Sequence, residues 1–358
     1  MQALGHRRGT QVYAQALCWE VEGYVPACRM SDVFGGSVLS NAWPTLPVGE
    51  NAIGEELRWL GRNRVTCARA EQVLIDGGSG TYAIDGYAVL STSTENELAA
   101  YGAKYGKLGV ERASVMGIHD VKKDRPVSAK YCDGALPDKS SAEEVFDRYR
   151  LEWCRILADM GFYSEEVLAL LHQKGRTFVI PCPPNTAVRK AAVEDLSYTG
   201  EFTYTRNERG RETEVRVSYF EKTVSELEDA WQKHLDEEAK EKNGGKKRAK
   251  RVKRSSFPQD RVIVFRDESM HDRLVRGYRA QIGRDKGHTE EGLEELKPTF
   301  GVIALRIYDS DSPRDCYLGN KKRGSRPTTT TSLTASTSTA CASRTVEAKQ
   351  KKTCMKNV

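Results

Sequence analysis

The chain reads as an α/β protein, and three features of the sequence predict it. Two apolar runs, Val73-Leu74-Ile75 and Ile156-Leu157-Ala158, each stop on an acid, Asp76 and Asp159, with glycine close behind at Gly77 and Gly161. A helix opens directly after the second run on Ser164, Glu165 and Glu166, where a hydroxyl cap and acids suit the first turn. A further apolar run, Phe178-Val179-Ile180-Pro181, follows that helix. Strand, helix and strand alternating around one acid imply a sheet covered by helices.

The elements follow in order. Residues 1–50 hold glycines, prolines and tryptophans without a sustained period. Ile53, Leu57, Leu60 and Val65 recur at helical spacing, so 51–72 reads as one amphipathic helix or two short ones. Val73 to Asp76 reads as a short buried strand, Gly77-Gly78-Ser79-Gly80 as a turn, and Thr81-Tyr82-Ala83-Ile84 as the next strand of a hairpin. Residues 107–118 and 125–132 read as strands around the loop 120–124. Val145, Tyr149, Trp153 and Leu157 predict a helix from Ser140 that feeds the strand ending on Asp159. The helix after Ser164 runs to Gly175. Residues 198–206 and 212–220 alternate polar with aromatic or β-branched side chains around Asn207-Glu208-Arg209-Gly210, a hairpin pattern. An acid-rich helix over 224–240, a strand over 261–266, a helix over 272–283 and a strand over 300–308 complete the ordered pattern. Thr328 to Thr339 is almost wholly threonine and serine, which cannot bury enough apolar area to offset chain entropy.

Composition narrows the function classes. With 358 residues, 39% of them hydrophobic and 30% charged, the chain can bury a core yet is polar for a compact enzyme. A net charge of +6 permits a polyanionic partner without demanding one. No apolar run approaches the ~20 residues that cross a bilayer, and no signal-peptide core follows Arg7 and Arg8, so a cytoplasmic protein without a membrane partner is expected. The 9 cysteines include no C-x-x-C pair, which argues for free thiols and against a zinc site.

Two carboxylates at strand ends, Asp76 and Asp159, are hard oxygen ligands suited to Mg²⁺ or Mn²⁺. The bland alternatives are a helix-capping aspartate at one and a tight glycine turn at the other. The glycines after Asp76 lack the G-x-G-x-x-G order and any P-loop lysine, so a nucleotide loop is the weaker reading. A basic block, Lys246, Lys247, Arg248, Lys250, Arg251, Lys253 and Arg254, would grip DNA phosphate, although a solvated loop is an equal reading.

These residues resemble DDE transposases of bacterial insertion sequences, in the group named for insertion sequence four, over residues 50 to 308. The resemblance rests on Asp159-Met160-Gly161-Phe162-Tyr163-Ser164 with its helix and Phe178-Val179-Ile180-Pro181. It also rests on Leu74-Ile75-Asp76-Gly77, on Tyr101-Gly102-Ala103-Lys104, on Pro126 and Gly134 to Asp138, and on Arg261 to Glu268. It implies an RNase H-like core with a β-rich insertion, preceded by a small helical N-terminal region. The implied domains are 1–70 mostly helical, 71–185 first core part, 186–258 β-rich insertion with basic linker, 259–310 later core, and 311–358 disordered tail.

The resemblance further implies that Asp76 and Asp159 match the first two acids of a metal-binding triad. The expected activity is Mg²⁺-dependent cleavage and strand transfer of element ends, with double-stranded DNA as partner and a homodimer when active. At the first motif this chain has Gly78 where the family has threonine or serine. No acid fits the third position, since Asp267, Glu268, Glu290, Glu291 and Glu294 come too early and Glu347 lies in the tail beyond Tyr317, Lys322 and Arg323. A truncated or frame-disrupted transposase is therefore expected. The alternatives are a catalytically dead DNA-binding remnant or a metal-dependent nuclease on the same core.

Overall fold

The computed structural model describes residues 4–23, 25–91, 96–101, 111–134, 138–173, 175–195, 197–208, 211–243, 250–284 and 287–324. Within them the chain forms two compact units, one holding residues up to Gly80 and 86–150, the other holding 81–85 and 151 to Ser325.

The first unit opens with helices α1 (His6–Glu22), α2 (Met30–Gly35), α3 (Val38–Ala42), α4 (Glu50–Arg62) and α5 (Arg64–Asp76). Ala14 and Cys18 of α1 pack with Met30, Phe34, Val48 and Ile53 into a small core. Thus 51–72 is two helices, the second alternative of the periodic reading.

The structure overturns the strand at Val73 to Asp76. These residues are the last turn of α5, with Ile75 buried but Val73 and Leu74 exposed at 62% and 43%. Ala68, Arg69, Ala70, Glu71 and Gln72 just upstream are good or tolerated helix formers, and nothing breaks the helix before Gly77. No hairpin follows either. Gly80, at φ +75°, turns the chain out of the helix and into strand β1 (Thr81–Leu90), a conformation that costs glycine little. The first unit also holds strands β2 (Arg112–Asp120) and β3 (Arg125–Cys132), which pair antiparallel from Ser114↔Cys132 to Asp120↔Arg125, and helix α6 (Asp138–Arg148). The helix expected from Ser140 through Leu157 therefore stops at Arg148. Trp153 has a positive φ of 62° and is exposed, which no helix would allow.

In the second unit β1 lies parallel to β4 (Arg155–Ala158), and β4 lies parallel to β5 (Thr177–Pro181). Helix α7 (Glu165–Gln173) connects β4 to β5, and Ser164 Oγ accepts from Val167 N at 3.3 Å as its cap. Parallel strands need cover on both faces, and Ile156, Leu157, Phe178, Val179 and Ile180 are all buried. Helix α8 (Ala187–Glu194) follows, then the hairpin β6 (Gly200–Glu208) and β7 (Arg211–Thr223), and helix α9 (Val224–Asn243). The hairpin is no separate β domain: β7 pairs antiparallel with β8 (Arg261–Asp267) and so extends the sheet. After helices α10 (Glu268–Arg279) and α11 (Glu290–Leu296), strand β9 (Val302–Tyr308) runs antiparallel between β8 and β5. The result is a large mixed sheet with helices. Its core holds Val188 and Ala192 of α8, Val224 and Leu227 of α9, and Val262, Val264 and Ala304 of the strands.

The tail expected from residue 311 begins instead as helix α12 (Pro313–Gly324), whose Cys316 and Tyr317 are fully buried. Its apolar residues are too few to show a period. Polar anchors hold it: Tyr317 Oη donates to Asp267 Oδ2, and Lys321 Nζ donates to the same oxygen at 2.9 Å. The Thr328–Thr339 stretch and Glu347 lie outside the described residues. Burial pushes the Asp267 carboxyl up, but the hydrogen bonds from Tyr317 and Lys321 outweigh it and hold the group below its usual value.

Asp267→Ala should lower the unfolding free energy by about 3 kcal/mol at neutral pH, because it strands a partly buried lysine and a buried phenol. A carboxyl with a depressed folded-state value contributes its stability above the ordinary value of about 3.9 and loses it as pH falls through the folded value. Urea titrations of wild type and variant should therefore converge as pH falls through the carboxyl's folded-state value. A constant gap across pH would refute the linkage.

Candidate active site

The register of β1 on β4 decides which acids can meet. Thr81↔Arg155, Tyr82↔Ile156, Ala83↔Leu157 and Ile84↔Ala158 are paired, and Asp85 and Asp159 are the residues that directly follow the last paired couple. Asp159 keeps extended dihedrals, φ −78° and ψ 165°, so the strand geometry carries through to it. In-register residues of neighbouring strands leave the same face, with backbones ~4.8 Å apart. Asp85 is exposed and Asp159 partly so.

Asp159 sits where the sequence predicts, just past the end of β4. It also caps: its Oδ1 accepts from Met160 N at 2.7 Å, opening the short 3-10 turn Met160–Phe162. As the last residue of α5, Asp76 accepts from Gln72 Nε2 at 2.7 Å and lies 3.8 Å from Arg150, with its side chain exposed. Sequence reasoning did not single out Asp85, which directly follows the paired run of β1. Its signal was present: Tyr82-Ala83-Ile84-Asp85-Gly86 repeats the device of apolar strand, acid and glycine nine residues on from Asp76.

Beneath Asp159 the chain is fixed by a buried charge cluster. Arg306 of β9 is fully buried; its Nε donates to Asp260 Oδ2 at 2.7 Å, its Nη1 to Tyr163 Oη at 3.2 Å and its Nη2 to Ser255 Oγ at 2.9 Å. His172 of α7 lies 3.1 Å from Asp260 and stacks on Phe257 with ring centres 4.1 Å apart. Glu165, at the start of α7, accepts from Ser255 Oγ at 2.9 Å and Ser256 N at 2.8 Å. Burial pushes the Glu165 carboxyl up, and these donors bring it below its usual range. The turn Met160–Phe162 is thereby clamped from Tyr163 on one side and Glu165 beyond it. Cys182 lies buried in the same region, its thiol pushed up to about 12 by burial, so it is inert as a nucleophile at neutral pH.

Helix α12 reports on a third ligand. Arg155 Nε lies 3.1 Å from Asp309, and Arg155 Nη2 donates to Cys316 Sγ at 3.5 Å. One turn on, Gly319 packs against Leu157. These contacts seat the first turns of α12 against β4, while Tyr317 and Lys321 reach Asp267 of β8. Asn320 to Gly324 contains no carboxylate. Among the described residues no group of three His, Cys, Asp or Glu side chains could hold a metal ion. Two carboxylates still fit Mg²⁺ or Mn²⁺, which commonly keep several waters and bind through one or two acids.

Of the basic block, Lys246, Lys247 and Arg248 lie outside the described residues. Lys250, Arg251, Lys253 and Arg254 are exposed, and their segment runs along α9. Val252 N donates to Gln232 Oε1 at 2.8 Å, and Arg254 pairs with Asp229 at 2.6 Å. Arg254 is thus neutralised in part, while the flanking segment is a docked strap and not a free loop. Tyr101 lies among the described residues, whereas Gly102, Ala103, Lys104 and 135–137 lie outside them.

Comparison with known proteins adds little to this geometry. No protein-family model matches the chain, and no curated protein does. Among solved structures, the chain is similar to a piggyBac transposase in a synaptic complex with hairpin DNA, at 10% sequence identity and a TM-score of 0.34. That match covers 60% of this chain and 48% of the transposase chain. No helix among the described residues is long and apolar enough to cross a membrane.

Arg306→Met should cost about 3 kcal/mol or more in urea denaturation, since it leaves buried Asp260 without its guanidinium partner and with only the His172 ring beside it. Tyr163→Phe removes only one hydroxyl from the cluster and should cost about 1 kcal/mol. Equal losses for the two would show that the guanidinium is not the centre of the clamp.

Proposed function

We propose that the chain is a DNA-processing protein of transposase type on an RNase H-like core, with Asp85 and Asp159 as the metal-binding carboxylates. The observation that carries the reading is the parallel pairing of β1 with β4, whose last paired couple, Ile84 and Ala158, is followed on each strand by an aspartate, 74 positions apart in the sequence. The resemblance of Asp159-Met160-Gly161-Phe162-Tyr163-Ser164 to the transposase motif supports the same site, and Asp85-Gly86 now takes the place of Asp76-Gly77 in it. A divalent cation held there would supply Lewis-acid activation of a water or 3′-hydroxyl and charge neutralisation at the leaving oxygen of a phosphodiester. The chain's own part is to fix the two carboxylates. The sheet register sets their separation, the Met160 N–H orients Asp159, and the Arg306 cluster holds the turn behind it.

A second reading has its own support. Because no third acid groups with the pair among the described residues, DNA binding without cleavage is the expected behaviour of a remnant that keeps the scaffold and two of three ligands. Strand transfer by a homodimer on paired ends requires the complete ligand set.

The test is direct. With Mn²⁺ or Mg²⁺ and labelled duplex DNA, wild type should cleave, Asp85→Asn and Asp159→Asn should lower the rate by at least about a hundredfold, and Asp76→Asn should leave it unchanged. Mn²⁺ binding followed by paramagnetic resonance should weaken in the first two variants alone. Metal binding without cleavage selects the remnant. Equal Mn²⁺ binding by wild type and the Asp85 and Asp159 variants would sink the site itself.

A further inference from the structure

The basic strap beside α9 carries a motif that the metal reading leaves unused. Three stretches of the chain set two adjacent cations and one further residue before a hydroxyl: Arg7-Arg8-Gly9-Thr10, Lys253-Arg254-Ser255-Ser256 and Lys322-Arg323-Gly324-Ser325. An apolar residue follows only the second, at Phe257, whereas Gln11 and Arg326 follow the others. Thr10 is also 4% exposed, and its hydroxyl donates to His6 O at 2.8 Å within α1. Ser256, by contrast, is exposed. Basophilic serine kinases select this order, because acidic pockets take the two cations and an apolar one takes the residue after the serine.

The backbone suits an enzyme that reads an extended peptide. Residues 250–256 form no helix or strand, and side chains of neighbouring helices hold them in place. Val252 N donates to Gln232 Oε1 at 2.8 Å, Ser255 N to Glu228 Oε1 at 3.0 Å and Ser256 N to Glu165 Oε2 at 2.8 Å. Arg254 pairs with Asp229 at 2.6 Å, while Lys253 is exposed. A segment docked by such separate contacts, with no ladder of its own, opens locally at lower cost than a sheet strand. The neighbouring hydroxyl is engaged: Ser255 is half-buried, and its Oγ accepts from Arg306 Nη2 and donates to Glu165 Oε1, both at 2.9 Å.

We infer that Ser256 is a phosphorylation site for a basophilic serine kinase, and that its phosphate releases the strap from Glu165. The γ-phosphoryl group of a nucleoside triphosphate passes to Ser256 Oγ. The new O–P bond forms as the bond to the diphosphate breaks, and the hydroxyl proton leaves to the kinase's base. The product carries about two negative charges at neutral pH. Ser256 N already lies against the Glu165 carboxylate, so phosphate and carboxylate repel at a distance too short for salt to screen. The same phosphate attracts Lys253 and Arg254, drawing Arg254 off Asp229. Both effects act on contacts that hold the strap, and neither involves Asp85 or Asp159.

The experiment incubates the full folded chain with Mg²⁺-ATP and the catalytic subunit of cyclic-AMP-dependent protein kinase, then maps phosphate by peptide mass spectrometry. Phosphate should appear on Ser256, and Ser256→Ala should remove it from that peptide. Lys253→Ala should slow Ser256 labelling about tenfold, the loss of one charge-assisted contact to the kinase. In the phosphorylated chain, amide hydrogen exchange over 250–257 should quicken at least about tenfold at Val252, Ser255 and Ser256. A folded chain without phosphate on Ser256, or labelling that appears only in urea, overturns the site. Labelling of Lys253→Ala at the wild-type rate overturns recognition through the basic pair, and unchanged exchange after labelling overturns the release. Labelling needs no metal at the aspartates of the sheet, so failure here and failure of the metal site remain distinguishable.

Discussion

The pairing of β1 with β4 is the constraint on which the candidate chemistry depends. A parallel pair cannot be closed by a short turn, so the chain must leave β1 and return much later to lay β4 beside it. That long excursion sets two paired runs, each followed directly by an aspartate, far apart in sequence and side by side in the sheet. The register has little freedom. A slip of one residue would turn the buried run Tyr82-Ala83-Ile84 toward the wrong face and separate the aspartates at the same stroke. The residues that stabilise the sheet therefore also specify the site, through burial of Ile156, Leu157, Phe178 and Val179.

The second determinant is how the core handles charge. Arg306 and Asp267 are both fully buried, and each is surrounded by partners from several segments. Arg306 gathers the 255–260 loop, Tyr163 and β9; Asp267 gathers β8, α10 and α12. Such centres add little net stability over well-packed apolar groups, but they are exacting about geometry, because a misplaced neighbour leaves a charge unpaired. Gly301 shows the same closeness in the backbone: at φ +72°, a Cβ there would come within 2.6 Å of the Asp267 carbonyl. The two centres do different work. One fixes the turn behind Asp159, and the other docks a helix with too few apolar residues to dock by itself.

Much of this was legible in the sequence, and the misses share a physical origin. Strong local signals held: the Ser164 cap of α7, the alternating β6–β7 hairpin, the continuous apolar run of β8. The errors came where an apolar triplet was read without its context. Val73-Leu74-Ile75 and Tyr82-Ala83-Ile84 both precede Asp-Gly, and a short apolar run does not by itself separate helix from strand. The helix-forming residues before Val73 and the glycines after Asp76 were the arbiters, since they continue α5 to its end and start β1 afterwards. Helix α12 escaped for the converse reason. Its docking rests on Tyr317 and Lys321 reaching a buried acid 50 and 54 residues upstream, which no window of sequence can display.

Helix α12 meets the sheet at two places. Cys316 lies by Arg155 and Gly319 by Leu157 of β4, while Tyr317 and Lys321 are drawn to Asp267 at the end of β8. Lys321 is therefore committed to a buried carboxylate and is not left for a polyanion. Among the described residues no third acid forms a metal-binding group with Asp85 and Asp159. A divalent ion held as proposed would complete its shell with water or substrate oxygens, a pattern that suits Mg²⁺, which keeps several waters, better than a cation that needs an all-protein cage.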